Sequence, residues 1–370
     1  MPRLPLRSRA VALASAAVVL FTAGCSATSP GEAEHTMTTG PRTPLSELEV
    51  LENPREWMGA STALLESGTI VPVVQDPTPS VPLDVTSRDL DGDRTVTVSD
   101  VSRIVAMDIS GSIAATVFAL GLGDNVVGRD ISTTFPEAAD LPVVTSGGHS
   151  INSESVLALR PSIVITDGTI GPTDVVLQLR AAGITVVYVD AEPGLDAPAE
   201  LARQVSAALG VTEAGELLAE RLDAEIAAVL ADIESIRPEN PADRVRMLFL
   251  YLRGSSGIYY LFGEESGADE LIEGLGGIDV AGEIGWEGLR PMTDEALVAA
   301  DPDLILVMSE GLESVGGVSG LLASKPAIAL TRAGQHERFV DMADGDILSF
   351  GPRTAAVLDA LARAIYAPEA

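Results

Sequence analysis

Two short stretches carry side chains able to bind a metal. In Ser146-Gly147-Gly148-His149-Ser150 a histidine follows two glycines, and it is one of only three histidines in 370 residues, with His35 and His336. Glycine lets a backbone come close to a bulky ligand, and a neutral imidazole offers a nitrogen lone pair to iron. Residues 246–253 read as a strand, whose side chains alternate between faces. Met247, Phe249, Tyr251 and Arg253 point one way, and Leu248, Leu250 and Leu252 the other. Tyr251 and Arg253 then project together at the carboxyl end, where open α/β sheets bind ligands. A phenolate is a hard anionic donor suited to ferric iron, and a neighbouring guanidinium favours the ionised form. Each feature alone has a plainer reading: a loop histidine is commonly just solvent-exposed, and Tyr and Arg commonly end a strand without a special task.

The elements that must position these residues follow an α/β rhythm from residue 94. Strands are expected at 103–108, 126–129, 162–166 and 185–189, with helices at 112–120 (capped by Ser112), 153–159 and 175–182. A helical segment over 198–236 is broken at Gly210, and Thr212 suits the cap of its second part. That part runs about 25 residues, or ~37 Å, before Pro238 and Pro241 stop it. Alternation then resumes, with strands at 246–253, 304–307 and 339–342, further elements at 270–275 and 295–300, and a last helix from Thr354. The expected fold is α/β: two Rossmann-like lobes with parallel sheets, at 94–196 and 241–370, joined by one long connecting helix within 197–240.

An internal echo supports two lobes. Glu154 opens a helix, Pro161 ends it seven residues later, and the buried run Ile163-Val164-Ile165 follows. Glu295, Pro302 and Leu304-Ile305-Leu306 repeat that order in the other half. Acids in a first helical turn also complement the helix dipole, so the glutamates have a local explanation as well.

The first 24 residues read as an export signal, with Arg3, Arg7 and Arg9 ahead of a short apolar core. Thr22-Ala23-Gly24 before Cys25, the only cysteine, resembles a lipobox, although Leu is usual where Thr22 stands. Such signals imply cleavage and a diacylglycerol on Cys25; ordinary cleavage near Ala23 would leave a free thiol. Residues 26–45 read as a polar tether, and 46–93 complete an N-terminal extension broken by Pro72, Pro77, Pro79 and Pro82. Loss of residues 1–24 leaves 20 basic against 54 acidic side chains, a formal charge of −34. That surface repels nucleic acid and anionic lipid, so membrane contact is expected only through the anchor. No P-loop, Gly-x-Ser-x-Gly elbow or His-Glu-x-x-His occurs, Gly121-Leu122-Gly123 lacks the third glycine of a dinucleotide fingerprint, and Asp91-Gly92-Asp93 lacks the rest of a calcium loop. An enzyme is not expected.

Arg103-Ile104-Val105, the Leu120-Gly121-Leu122-Gly123-Asp124 turn with Val127-Gly128 after it, and both Pro-x-hydrophobic strand entries resemble class III substrate-binding proteins of ABC importers. The resemblance covers about residues 95–368 and is nearest to HmuT-type haemin-binding lipoproteins of actinobacteria. It implies a lipid-anchored protein on the outer face of the cell membrane, with haem as transported cargo in the interlobe cleft. It implies His149 and Tyr251 as axial iron ligands, with Arg253 beside the tyrosine. Tyr259 and Tyr260 are rival oxygen donors or pocket residues, and Trp286, Met292 and Met308 are candidates to pack on the porphyrin. Glu154 and Glu295 are expected to dock on the permease, which works with an ATPase; a haem donor protein is a further possible partner. A siderophore or corrinoid on the same scaffold is the alternative cargo. A bare zinc or manganese site would want more histidines than two in the folded body.

Overall fold

The computed structural model describes residues 42–146, 149–190 and 192–369; the expected signal and Cys25 lie outside them. The first described residues are packed rather than tethered. Leu45 is buried in the C-terminal core with Ala63, and β1 (Ser61–Thr62) pairs in parallel with a strand near the far end of the chain. The buried Arg338 holds this segment by donating to the Gly59 carbonyl, the Ser61 hydroxyl and the Ala364 and Ile365 carbonyls at the end of the last helix. By Ile70 the chain has crossed to the N-terminal core, where Val73 N–H donates to the Ala119 carbonyl and β2 (Leu83–Ser87) pairs antiparallel with β3 (Arg94–Val98). The hairpin thus joins the N-terminal lobe across the expected boundary at 93/94. β1, two residues long, gives no periodicity to read, and Pro72, Pro77, Pro79 and Pro82 interrupt the stretch that leads into β2.

The N-terminal sheet is parallel, built from β4 (Ile104–Met107), β5 (Val126–Arg129), β8 (Ile163–Thr166) and β9 (Thr185–Tyr188) in the order β5-β4-β8-β9. Two-residue strands β6 (Thr145–Ser146) and β7 (Ser150–Ile151) form a small hairpin before β8. The covering helices are α1 (Ser112–Ala119), α2 (Ser153–Leu159) and α3 (Thr173–Ala181). Ser112 is the first helical residue, not the cap. Gly111 precedes it at φ 74, and the Asp108 carboxylate accepts the Ser112 and Ile113 amides that a cap would satisfy.

Helices α4 (Ala197–Leu209) and α5 (Thr212–Ile236) carry the chain to the second lobe, with Gly210 left-handed between them at φ 70. The first half of α5 buries Ala214, Leu218, Ala219 and Leu222 in the N-terminal core, and its second half buries Ile226, Val229 and Ile233 in the C-terminal one.

In the second lobe β10 (Arg246–Arg253) and β11 (Ile258–Phe262) form an antiparallel hairpin. After α6 (Ala268–Gly274) come β12 (Ile278–Asp279), α7 (Val280–Glu283), β13 (Leu289–Pro291), α8 (Asp294–Ala300) and β14 (Leu304–Met308). Short helices α9 (Ser309–Glu313), α10 (Gly317–Ser324), α11 (Pro326–Leu330) and α12 (Arg332–Gln335) precede β15 (Phe339–Met342) and the closing α13 (Thr354–Tyr366). The sheet order is β1-β15-β14-β10-β11-β13, with β12 beside the start of β10. It is therefore mixed, since β11 and β13 run antiparallel to their neighbours. No helix among the described residues is long and apolar enough to cross a membrane.

The echo extends to hydrogen bonds. Asn152 and Thr293 cap α2 and α8 by accepting the amides of Ser155 and Ala296. Arg160 and Asp301 end those helices at φ 47 and 39. The amides after each proline, Ser162 and Asp303, donate to the Arg103 and Arg246 carbonyls, and the two arginine side chains donate to the Leu159 and Ala300 carbonyls.

Three strands of the N-terminal sheet are each followed directly by an aspartate: Asp130 after β5, Asp108 after β4 and Asp167 after β8. Asp108 and Asp130 are fully buried, and Asp130 accepts the Asp108 amide and the Thr133 amide and hydroxyl. Burial, then the Asp108 charge, pushes Asp130 up to about 7. The folded chain therefore binds a proton that the unfolded chain lacks between the usual carboxylate range near 4 and about 7. Stability falls as pH rises through that window. Urea unfolding between pH 4 and 8 should show a steeper loss for the unchanged chain than for Asp130→Asn. The difference should approach about 1.4 kcal/mol per pH unit, the limit for one proton; equal losses would contradict a buried proton there.

Candidate functional site

Tyr251 and Arg253 stand where the alternation along β10 puts them, at its carboxyl end. The four-residue link 254–257, with Gly257 left-handed at φ 65, sets the hairpin register. Phe249 faces Phe262, Tyr251 faces Tyr260 and Arg253 faces Ile258 across the hairpin, and paired residues share a face. Phe249 and Phe262 have ring centroids 5.0 Å apart, and Tyr251 and Phe262 6.0 Å. Met308, at the end of the neighbouring β14, packs on the same apolar cluster as Tyr251 and Phe262. The face is thus an aromatic wall that carries the Tyr251 and Tyr260 phenols and ends in one guanidinium.

The guanidinium lies over the tyrosine ring, its central carbon 4.7 Å from the centroid. Its Nη2 donates to Asp344 Oδ2 at 2.5 Å, and its Nη1 to the Leu252 carbonyl at 3.0 Å. Arg253 therefore acts on the phenol through the ring face and its charge.

Residues of both lobes line a cavity of about 220 Å³ that meets this wall at Phe262, without Tyr251, Arg253 or His149 in its lining. Phe262, Leu348 and Phe350 come from the C-terminal lobe, and Ile109, Ser110 and Asp167 from the strand ends of the other. Asp167 is raised to about 6 by burial and by Asp108. Ile109 and Ile131 are 50% and 47% exposed beyond β4 and β5. The sequence reading missed them, yet Asp108-Ile109-Ser110 and Asp130-Ile131-Ser132 repeat one tripeptide at two strand ends.

His149 lies at the turn of the β6–β7 hairpin, with Gly147 and Gly148 outside the described residues. Partial burial, then the positive charge of Arg253, holds its imidazole below the ordinary value of 6.5. The imidazole is neutral at neutral pH, with a lone pair free to bind a metal. Among the described residues no group of three or more His, Cys, Asp or Glu side chains could hold a bare metal ion.

Other expected pocket residues separate. Tyr260 and Met308 share the Tyr251 face. Tyr259 does not: it pairs with Leu252 on the opposite face, under the Lys325 ammonium at 3.8 Å from its ring centroid. Trp286 and Met292 pack on that opposite cluster too, where Trp286 Nε1 donates to the Leu261 carbonyl and the Met292 amide to the Tyr259 carbonyl. These three brace the hairpin from behind: the register puts Tyr259 of β11 on the far face, and Trp286 and Met292 pack on that side. Glu154 and Glu295 are both exposed in the first turns of α2 and α8.

The chain is similar to the crystal structure of heme binding protein HmuT, at 40% identity and a TM-score of 0.80, covering 85% of this chain and 99% of that one. Structures of HmuT with alanine replacing a histidine, a tyrosine, or an arginine two positions beyond that tyrosine match at 39–40% identity. An uncharacterized ABC transporter substrate-binding lipoprotein, YvrC of Bacillus subtilis (strain 168), is 27% identical over 256 residues, 67% of this chain and 76% of its own length. A cobalamin-binding protein of Halobacterium salinarum (strain ATCC 29341 / DSM 671 / R1) is 28% identical over 276 residues, 72% of this chain and 70% of its own length. The family model for periplasmic binding proteins matches residues 107–344, from the end of β4 to the aspartate that holds Arg253, and the chain belongs to that family.

Proposed function

We propose that this chain is the extracytoplasmic substrate-binding component of an ABC importer and that its cargo is haem, gripped between the lobes by His149 and Tyr251. The observation that carries the reading is the Tyr251–Arg253 pair at the carboxyl end of β10, with the guanidinium over the phenol ring. The HmuT likeness supports it, since Tyr251 and Arg253 have the same two-residue spacing as the tyrosine and arginine replaced there.

In this reading the neutral imidazole gives a nitrogen to one face of the iron and the phenol an oxygen to the other. A phenolate would offset the net positive charge of a ferric porphyrin centre, and the Arg253 guanidinium lies over the ring that carries it. Phe262, Phe350, Ile109 and Met308 supply the apolar contact that a porphyrin needs. Cys25 carries the lipid that keeps the acidic body at the outer face of the membrane. Glu154 and Glu295, alike in their two helices, meet basic side chains of the permease, which its ATPase drives.

The cobalamin-binding relative favours one second reading, a corrinoid in the same cleft. Titration separates the two. Haemin added to the purified chain should give a sharp Soret band, and Tyr251→Ala and His149→Ala should each alter that spectrum and weaken binding about 10–100-fold. Only the broad absorbance of free pigment, together with saturable cyanocobalamin binding, would turn the assignment to the corrinoid. The docking role predicts that Glu154→Ala with Glu295→Ala leaves haemin affinity unchanged and impairs uptake by cells; undiminished uptake would remove it.

A further inference from the structure

The fold singles out one residue that the cargo reading leaves unused. Asp344 follows β15 by two residues and is largely buried. Its two carboxylate oxygens serve two different elements. Oδ2 accepts Arg253 Nη2 at 2.5 Å, and Oδ1 accepts the Glu310 amide in the first turn of α9 at 3.0 Å. With Nη1 on the Leu252 carbonyl, the guanidinium is held along its edges while one face rests on the Tyr251 ring. The room for this comes from Gly311: a Cβ there would lie 2.7 Å from the Leu252 carbonyl oxygen and 3.0 Å from Arg253 Nη1.

The turn that carries Asp344 is itself fixed by the other lobe. A Cβ on the next residue, Gly345, would meet Thr134 Oγ1 at 2.4 Å and the Ser132 carbonyl oxygen at 3.0 Å. Arg353 donates to the Gly345 carbonyl and pairs with Asp346. The interlobe contact, the Asp344 carboxylate, Arg253 and Tyr251 therefore form one chain of direct contacts.

An unpaired arginine at the mouth of this cleft would have a competing partner. Haem carries two propionates, and a guanidinium binds carboxylates in bidentate, charge-assisted geometry. We propose that Asp344 is a positioning residue for cargo binding, one that holds Arg253 on Tyr251 and keeps it from pairing with the haem propionates. This rests on the haem reading above.

The test compares the unchanged chain with Asp344→Ala, Asp344→Ser and Asp344→Asn, each checked for an unaltered thermal midpoint. Ser keeps an oxygen near the Glu310 amide but is too short to hold Arg253. Asn keeps one acceptor oxygen, for Arg253 or for the Glu310 amide, and turns its own N–H toward the other donor. Each is titrated with haemin and with haemin dimethyl ester, whose propionates are uncharged. Ala and Ser should weaken haemin binding about 10–100-fold and diminish the phenolate-to-iron charge-transfer band. Asn, with one acceptor for two donors, should fall between these and the unchanged chain, and the ester should retain the band in every variant. Haemin spectra and affinities of Ala and Ser equal to those of the unchanged chain would overturn the positioning role alone. A loss as large with the ester as with haemin would overturn the competition with propionates. If the unchanged chain gives no charge-transfer band, the haem reading falls and this inference with it.

Discussion

Helix α5 is buried in two cores at once, and the site depends on that. Leu218 and Leu222 are committed to the N-terminal lobe, and Ile226, Val229 and Ile233 to the C-terminal one, within a continuous 25-residue helix. Bending α5 at its middle would break backbone hydrogen bonds and expose one of these faces, so the lobes cannot hinge freely about it. The N-terminal segment crosses in parallel, from Ala63 in one core to Ile70 in the other. Two crossings hold the carboxyl ends of β10 and of the N-terminal strands toward one cleft. A residue on each lobe can then serve one ligand without a large closing motion.

The cleft combines groups that would be costly apart. The N-terminal strand ends bring buried carboxylates together, and burial, with the added repulsion of Asp108, keeps Asp130 and Asp167 protonated further up the pH scale than carboxyls in water. On the other lobe the charge of Arg253 is compensated by Asp344 and spread over an aromatic ring. A porphyrin matches this division: its apolar body suits Phe262, Phe350 and Ile109, while its metal asks for one donor from each side.

Much of this was legible because period-two and helical patterns are strong in buried elements. The strand at 246–253 and the strand at 339–342 were placed to the residue, and the Glu154/Glu295 echo proved to be one hydrogen-bonding plan used twice. The face of Tyr251 and Arg253 followed from alternation alone. The side of each hairpin tyrosine did not, since a one-residue change in the 254–257 link would exchange Tyr259 for Tyr260. Trp286 and Met292 looked like pocket residues because aromatic and thioether side chains suit a porphyrin, but the loop carrying them wraps behind the sheet. Asp344 and Gly345 lie about 90 residues from Arg253 in sequence, and no local pattern announces that pairing.

The central claim is that one iron is held from opposite sides by side chains of different lobes. A crystal structure of the haemin-loaded chain tests it directly. The account predicts a single haem between the lobes, with His149 nitrogen and Tyr251 oxygen bonded to the iron from opposite faces and Arg253 still on the Tyr251 ring. An iron ligated by neither residue, or a haem bound outside the interlobe cleft, would contradict it.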